Sequence, residues 1–162
     1  MIKIRATLES KEDVIRELVI NESLTLDMLH YDIIEKFNLD KFEMASFYQV
    51  DSELNLEKEY PLIDTSEEGQ SPLTMNKVSI SSVLFEKKCR LIYIYDFLKM
   101  WRFYIEYVEE VNSKEKKIYL SSLGKMPNEA PEIIFKSENE IRNTDNFESQ
   151  LDKEDEFSDY EY

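Results

Sequence analysis

A chain of 162 residues is one domain's worth of material, long enough to bury roughly two thirds of the surface its unfolded form exposes, so a core needs neither disulfide nor metal. Two glycines leave too little for a phosphate-cradling loop, and the single Cys89 excludes an internal disulfide or a multi-cysteine zinc site. The formal net charge of -15, from 35 acidic against 20 basic side chains, repels phosphate backbones with no segregated basic patch to offset it, so direct nucleic-acid binding is not expected.

The chain opens with Ile2, Ile4, Ala6 and Leu8 on one face and Lys3, Arg5, Thr7 and Glu9 on the other, the period of a half-buried strand. That pattern lacks the continuous apolar run of a signal peptide. No stretch approaches about 18 consecutive apolar residues. The expectation is a cytoplasmic protein without a membrane span. After a polar turn over 9–13, the β-branched run 14–20 forms a hairpin with the first strand. The period then changes: Leu26, Leu29, Ile33 and Phe37 fall at helical spacing. Ser23 or Thr25 is available as N-cap, Asp27 suits the positive end of the helix dipole, and Asn38 is placed to end the helix.

A third strand over 44–50 completes a β-β-α-β opening. From 51 to 76 acidic and turn-forming residues dominate, and the simplest reading is a long surface excursion with one short strand near 60–63. Residues 79–85 read as a two-turn helix. Next comes the strongest pattern of the chain: Leu91, Tyr93, Tyr95 and Phe97 alternate with Ile92, Ile94 and Asp96, and Trp101, Phe103, Ile105 and Tyr107 alternate with Arg102, Tyr104 and Glu106. Each half is a strand of the aromatic and β-branched types that suit a pleated surface, and the pair 91–97/101–111 makes an antiparallel hairpin. A short strand at 118–120 follows before Gly124, Pro127 and Pro131 break regular structure. Residues 136–162 carry ten acids against three bases with only scattered apolar side chains, too few to offset the entropy of ordering. The expected organisation is one domain over 1–135 and a disordered acidic tail over 136–162.

The run Tyr93-Ile94-Tyr95-Asp96-Phe97, with Trp101 four positions on and a strand ending in Val108-Glu109, resembles the Y-x-Y-D-F-G-D-x-W signature of the plasmid pRi ORF-three-like family, whose members are also labelled insertion-sequence passenger or TnpR family proteins. Leu26-Asp27-Met28-Leu29-His30 is similar to that family's L-x-x-L-H helix, Phe47 to its following strand, and Leu123-Gly124 before Pro127 and Pro131 to its G-x-x-x-P-P-E-D segment. The chain departs from the signature where Leu98-Lys99 replaces Gly-Asp and Phe103 stands where a histidine is common. The resemblance covers about 1–135. It implies an α+β fold, a curved and mostly antiparallel sheet packed on one main helix, somewhat like a β-grasp, and an association with mobile elements.

The TnpR label implies a resolvase, which the residues oppose. Recombinases neutralise a phosphoryl transition state with converging arginines, whereas Arg5, Arg16, Arg90, Arg102 and Arg142 are dispersed along an acidic chain. The family-motif positions His30, Tyr95, Asp96 and Trp101 are the candidate binding residues, with structural roles the competing reading: His30 as a hydrogen-bonded core histidine, Asp96 as a cap on the turn amides after its strand, Tyr95 and Trp101 as core or rim aromatics. Glu106, Glu109 and Glu110 read as charges guarding a strand edge, and Cys89 as an inert thiol. No metal site and no cofactor are called for. The expected function is a non-catalytic binding or adaptor module with a protein partner. The alternatives are a hydrolase using His30 with Asp96, which requires the two to meet in an open cleft, and an acidic nucleic-acid mimic.

Overall fold

The computed structural model describes residues 1–67, 71–112 and 117–132. The expected tail and its boundary at 135 lie outside them. The described elements are β1 (Ile2–Leu8), β2 (Ile15–Ile20), α1 (Leu26–Phe37), β3 (Ala45–Val50), β4 (Leu56–Pro61), β5 (Arg90–Tyr95), β6 (Trp101–Glu110) and β7 (Lys117–Leu123). They form a seven-stranded sheet in the order β4-β3-β5-β6-β1-β2-β7, with every ladder antiparallel. Residues 1–131 make one compact unit. The architecture is therefore α+β, a mostly antiparallel sheet with one helix.

Alternation along each strand sorts side chains onto two faces, and register turns the inner face into rows. One row runs across five strands: Tyr60 stands opposite Phe47, Phe47 opposite Tyr93, Tyr93 opposite Phe103, and Phe103 opposite Leu8. Ring centroids lie 4.7 Å apart for Phe47 and Tyr93 and 5.8 Å apart for Tyr93 and Phe103, within the range at which tilted aromatic pairs attract. The helix lies over this row. Its buried stripe includes Leu26, Leu29, Ile33 and Phe37, and the Phe37 ring sits 4.8 Å from that of Phe103.

Thr25 occupies the N-cap of α1, but its hydroxyl turns to the Asp27 carboxylate instead of a helix amide. At the other end Asn38 adopts the left-handed conformation, and the Leu39 amide donates to the Ile34 carbonyl at 2.9 Å. This satisfies a terminal carbonyl as helix-ending motifs do.

The sheet is larger than the residue patterns require. The excursion after β3 contains a full edge strand, β4, six residues long and paired along β3, where a shorter strand near 60–63 is expected. Its Leu56, Glu57, Lys58 and Glu59 are all exposed, so an edge position with water on both sides leaves no alternation to read. Asp51 closes the β3–β4 turn by accepting from the amides of Glu53 and Asn55. The two-turn helix expected over 79–85 is instead a single 3-10 turn, Ile80–Ser82, preceded by another at Met75–Lys77, and the Val78 carbonyl between them accepts the Leu26 amide at the start of α1. The apolar spacing there served irregular packing, not a helix face.

The outer face of the sheet is a ladder of opposite charges. Glu17 receives Arg5 at 2.7 Å and Lys3 at 3.3 Å, Glu106 pairs with Arg90 at 3.2 Å, and Glu9 pairs with Arg102 at 3.2 Å. The Arg5 hydrogen bond, ahead of Lys3, holds the Glu17 carboxyl below its ordinary value. Glu106, Glu109 and Glu110 do not guard an edge, because β6 lies between β5 and β1 and the sheet ends at β4 and β7.

Candidate functional site

The hairpin of β5 and β6 closes through Tyr95 opposite Trp101, leaving a five-residue turn from Asp96 to Met100. Asp96 does not continue the strand: its φ of 56° turns it into the left-handed region, and its carboxylate Oδ1 accepts the amides of Leu98 and Lys99, each at 3.1 Å. Its carbonyl accepts the Met100 amide at 2.6 Å, and Met100 itself has φ 58°. Asp96 is thus a turn cap that also pairs with the Lys99 ammonium at 3.4 Å. The turn is fastened sideways, since the Asp96 amide donates to the Met44 carbonyl at 2.9 Å.

Beside this turn lies a half-open cavity of about 260 Å³. Tyr95, Asp96, Lys99 and Trp101 form one wall, the end of α1 and the loop carrying Asp40 and Glu43 form another, and Met126, Pro127 and Asn128 form the third. The Tyr95 hydroxyl donates to the Asp40 carbonyl at 2.7 Å, tying two of these walls together. Burial pushes the Tyr95 phenol up to about 12, and the carboxylates of Asp40, Glu43 and Asp96 push in the same direction by opposing a second negative charge. The lining carries the carboxylates of Asp40, Glu43 and Asp96 against one lysine, Lys99.

The third wall depends on Arg16, far from it in sequence, and on Gly124, two positions before it. Arg16 is buried, and its guanidinium donates to four carbonyls: Lys36 at 3.1 Å, Ile15 and Leu123 at 2.8 Å each, and Gly124 at 3.2 Å. Its charge also lies over the Phe37 ring, 4.9 Å from the centroid. One side chain so joins the C-terminal end of α1 to the chain leaving β7. Gly124 has φ 72°, and a Cβ there would come within 2.0 Å of the Asp13 carbonyl oxygen, so no other residue fits. From this point the chain turns to supply Met126 and Pro127 to the cavity.

Of the four residues singled out from the sequence, Tyr95, Asp96 and Trp101 come together in this cavity and His30 does not. His30 is fully buried on α1, its Nδ1 2.8 Å from the Tyr93 hydroxyl, while its Nε2 has no hydrogen-bond partner. Burial, opposed by the Asp27 charge, pushes the imidazole down to about 4, so it is neutral at pH 7. Burial likewise raises the Tyr93 phenol well above its ordinary range. The pair stays uncharged. Asp40, Glu43, Arg16 and Met126 carried no sequence signal of their own, because only the packing of α1 and β7 beside the hairpin turn brings them into place. Among the described residues no three His, Cys, Asp or Glu side chains gather as a metal site, and no helix is long and apolar enough to cross a membrane.

Comparison with known proteins now adds kinship. The model of the plasmid pRiA4b ORF-3-like protein family matches residues 1–154. The chain belongs to this family. The pRiA4b ORF-3-like match extends through the motif positions of α1, the β5–β6 hairpin and the segment after Gly124. A solved structure of a protein of unknown function from Methanosarcina mazei Go1 is similar, with a TM-score of 0.64 and 13% identity over 99% of this chain and 90% of that one. At that identity the likeness shows the fold. No curated protein matches.

Proposed function

We propose that this pRiA4b ORF-3-like protein is a non-catalytic binding module that accepts a cationic side chain, a guanidinium or an ammonium, of a protein partner in the cavity beside the β5–β6 turn. One observation carries the reading: Tyr95, Asp96 and Trp101, the motif residues of the hairpin, line a single cavity with Asp40 and Glu43, where the lining's lysine, Lys99, is already engaged by Asp96. Carboxylates above aromatic walls are the surroundings in which an organic cation is held by charge and by ring quadrupoles together. A hydrolytic role has less support, because His30 is buried against Tyr93 and does not line the cavity that Asp96 lines.

The test is an NMR titration of the isotope-labelled full chain with ethylguanidinium chloride. The Trp101 indole and the Lys99 amide are expected to shift and saturate at a concentration on the order of millimolar, as befits so small a ligand. The same titration of a Asp40→Asn/Glu43→Gln variant should leave them unmoved. Equal shifts from sodium chloride, or none from ethylguanidinium, would sink the reading.

A further inference from the structure

Exposed apolar side chains neighbour the cavity's lining residues along the chain, one of them, Phe42, with the Lys41 ammonium 5.4 Å from its ring centroid. Leu98, at the tip of the β5–β6 turn, is 96% exposed and Phe97 beside it 42%. Phe42, on the loop that supplies Asp40 and Glu43, is 84% exposed. Single apolar residues on a surface are ordinary. These three, however, sit on the two loops that also provide the cavity's carboxylates, and the Asp96 amide to Met44 carbonyl bond holds those loops side by side. The turn is closed by the Asp96 carboxylate and carbonyl, so nothing in its hydrogen bonding requires an apolar side chain at 97 or 98.

We infer that the rim docks an extended peptide segment of a partner in which an arginine or lysine is flanked by apolar residues. The cation enters the cavity, and the flanking side chains cover Phe42, Phe97 and Leu98. This rests on the cation-accepting reading above and adds to it the polypeptide nature of the ligand. Charge complementarity selects this occupant. Asp40 and Glu43 face the cavity, so a segment bearing positive charge gains Coulomb energy as it docks. A second copy of a chain of net charge -15 is repelled. The mixture of exposed aromatics with a recessed charged pocket matches the way binding energy concentrates at an anchor ringed by apolar contacts.

The experiment compares three probes on the full chain: acetyl-Leu-Arg-Leu-Phe-amide, acetyl-Ser-Arg-Ser-Ser-amide and acetyl-Leu-Glu-Leu-Phe-amide, followed by the Trp101 indole resonance. The first is expected to bind at least about tenfold more tightly than either of the others, the gain from covering a few apolar side chains or from matching charge. In a Phe42→Ser/Leu98→Ser variant, whose altered side chains are exposed, ethylguanidinium should still shift Trp101 while the apolar preference falls to about twofold or less. The inference is overturned if the preference survives in that variant, if the glutamate peptide binds as tightly, or if sedimentation finds a wild-type dimer that the variant loses. Failure of ethylguanidinium itself sinks the cavity reading separately.

Discussion

His30 and Arg16 show two ways in which a buried polar side chain is tolerated. His30 is kept neutral by burial, and beyond the unpartnered Nε2 its cost grows only when a proton becomes available. Below pH about 6.5 the unfolded chain protonates this histidine, whereas the folded chain resists until about pH 4. Stability is therefore fully present above pH 6.5 and declines as the pH falls toward 4, by on the order of 3 kcal/mol from this one group. Urea unfolding at pH 7 and pH 4.5 should show a smaller acid loss in a His30→Leu/Tyr93→Phe variant, which removes both partners together, than in the natural chain. An equal loss in both would exclude His30 as the cause. Arg16 keeps its charge and satisfies it with four carbonyls. Arg16→Ala is expected to destabilise the fold by about 3 kcal/mol, since it removes four part-buried hydrogen bonds that tie β2 to the end of α1 and to the chain leaving β7. Arg16→Lys should recover only part of that, because one ammonium cannot span carbonyls on two elements. Thermal unfolding of the two variants checks the order.

At the scale of an element, the β5–β6 turn is the most demanding piece of backbone in the described chain. Asp96 and Met100 both have left-handed φ, and only Asp96 is of a type that favours it. Met100 carries roughly 1–2 kcal/mol of steric cost there, against roughly 0.4–1 kcal/mol that glycine would add to unfolded-state entropy. Met100→Gly is thus expected to stabilise the protein by about 0.5–1 kcal/mol, read as a higher urea midpoint at unchanged slope. A lower midpoint would mean that the Met100 side chain contributes packing beyond its half-exposed position. The same turn sets the cavity geometry. Tyr95 and Trp101 flank it as the closing pair of the hairpin, so the aromatic row beneath and the cavity above share one anchor.

For the whole molecule, charge is arranged differently on the sheet and around the cavity. On the outer face of the sheet acids and bases alternate across strands and neutralise one another, which is not the unbroken file of acids that a duplex mimic requires. Around the cavity three carboxylates, of Asp40, Glu43 and Asp96, line the same space as one lysine, Lys99. Attraction for a cationic peptide should therefore weaken with added salt, and the more so for the part of it that acts at long range. Every residue assigned to the cavity and to the core belongs to the unit 1–131. A chain ending at residue 135 is accordingly expected to unfold in one transition within about 0.5 kcal/mol of the full chain, in the manner of a small single domain. Its affinity for the arginine peptide should stay within about twofold. Loss of the transition on truncation would show that the rest of the chain is needed for folding.

Period alone determined a good deal. The helix over Leu26–Phe37 and its end at Asn38, the first hairpin, the third strand and the central hairpin of aromatic residues follow from spacing, because each of these elements buries one face and leaves a periodic mark, whereas the mostly antiparallel sheet was implied by the family resemblance. Edge strand β4 left no such mark, since exposure on both faces removes the alternation. The cavity was legible only in part. Tyr95, Asp96 and Trp101 stand out along the chain, but Asp40, Glu43, Arg16 and Met126 matter through contacts between segments as many as about a hundred residues apart. Such contacts are settled by how α1 and β7 pack beside the hairpin, and local sequence encodes the period of each element, not the distance between them.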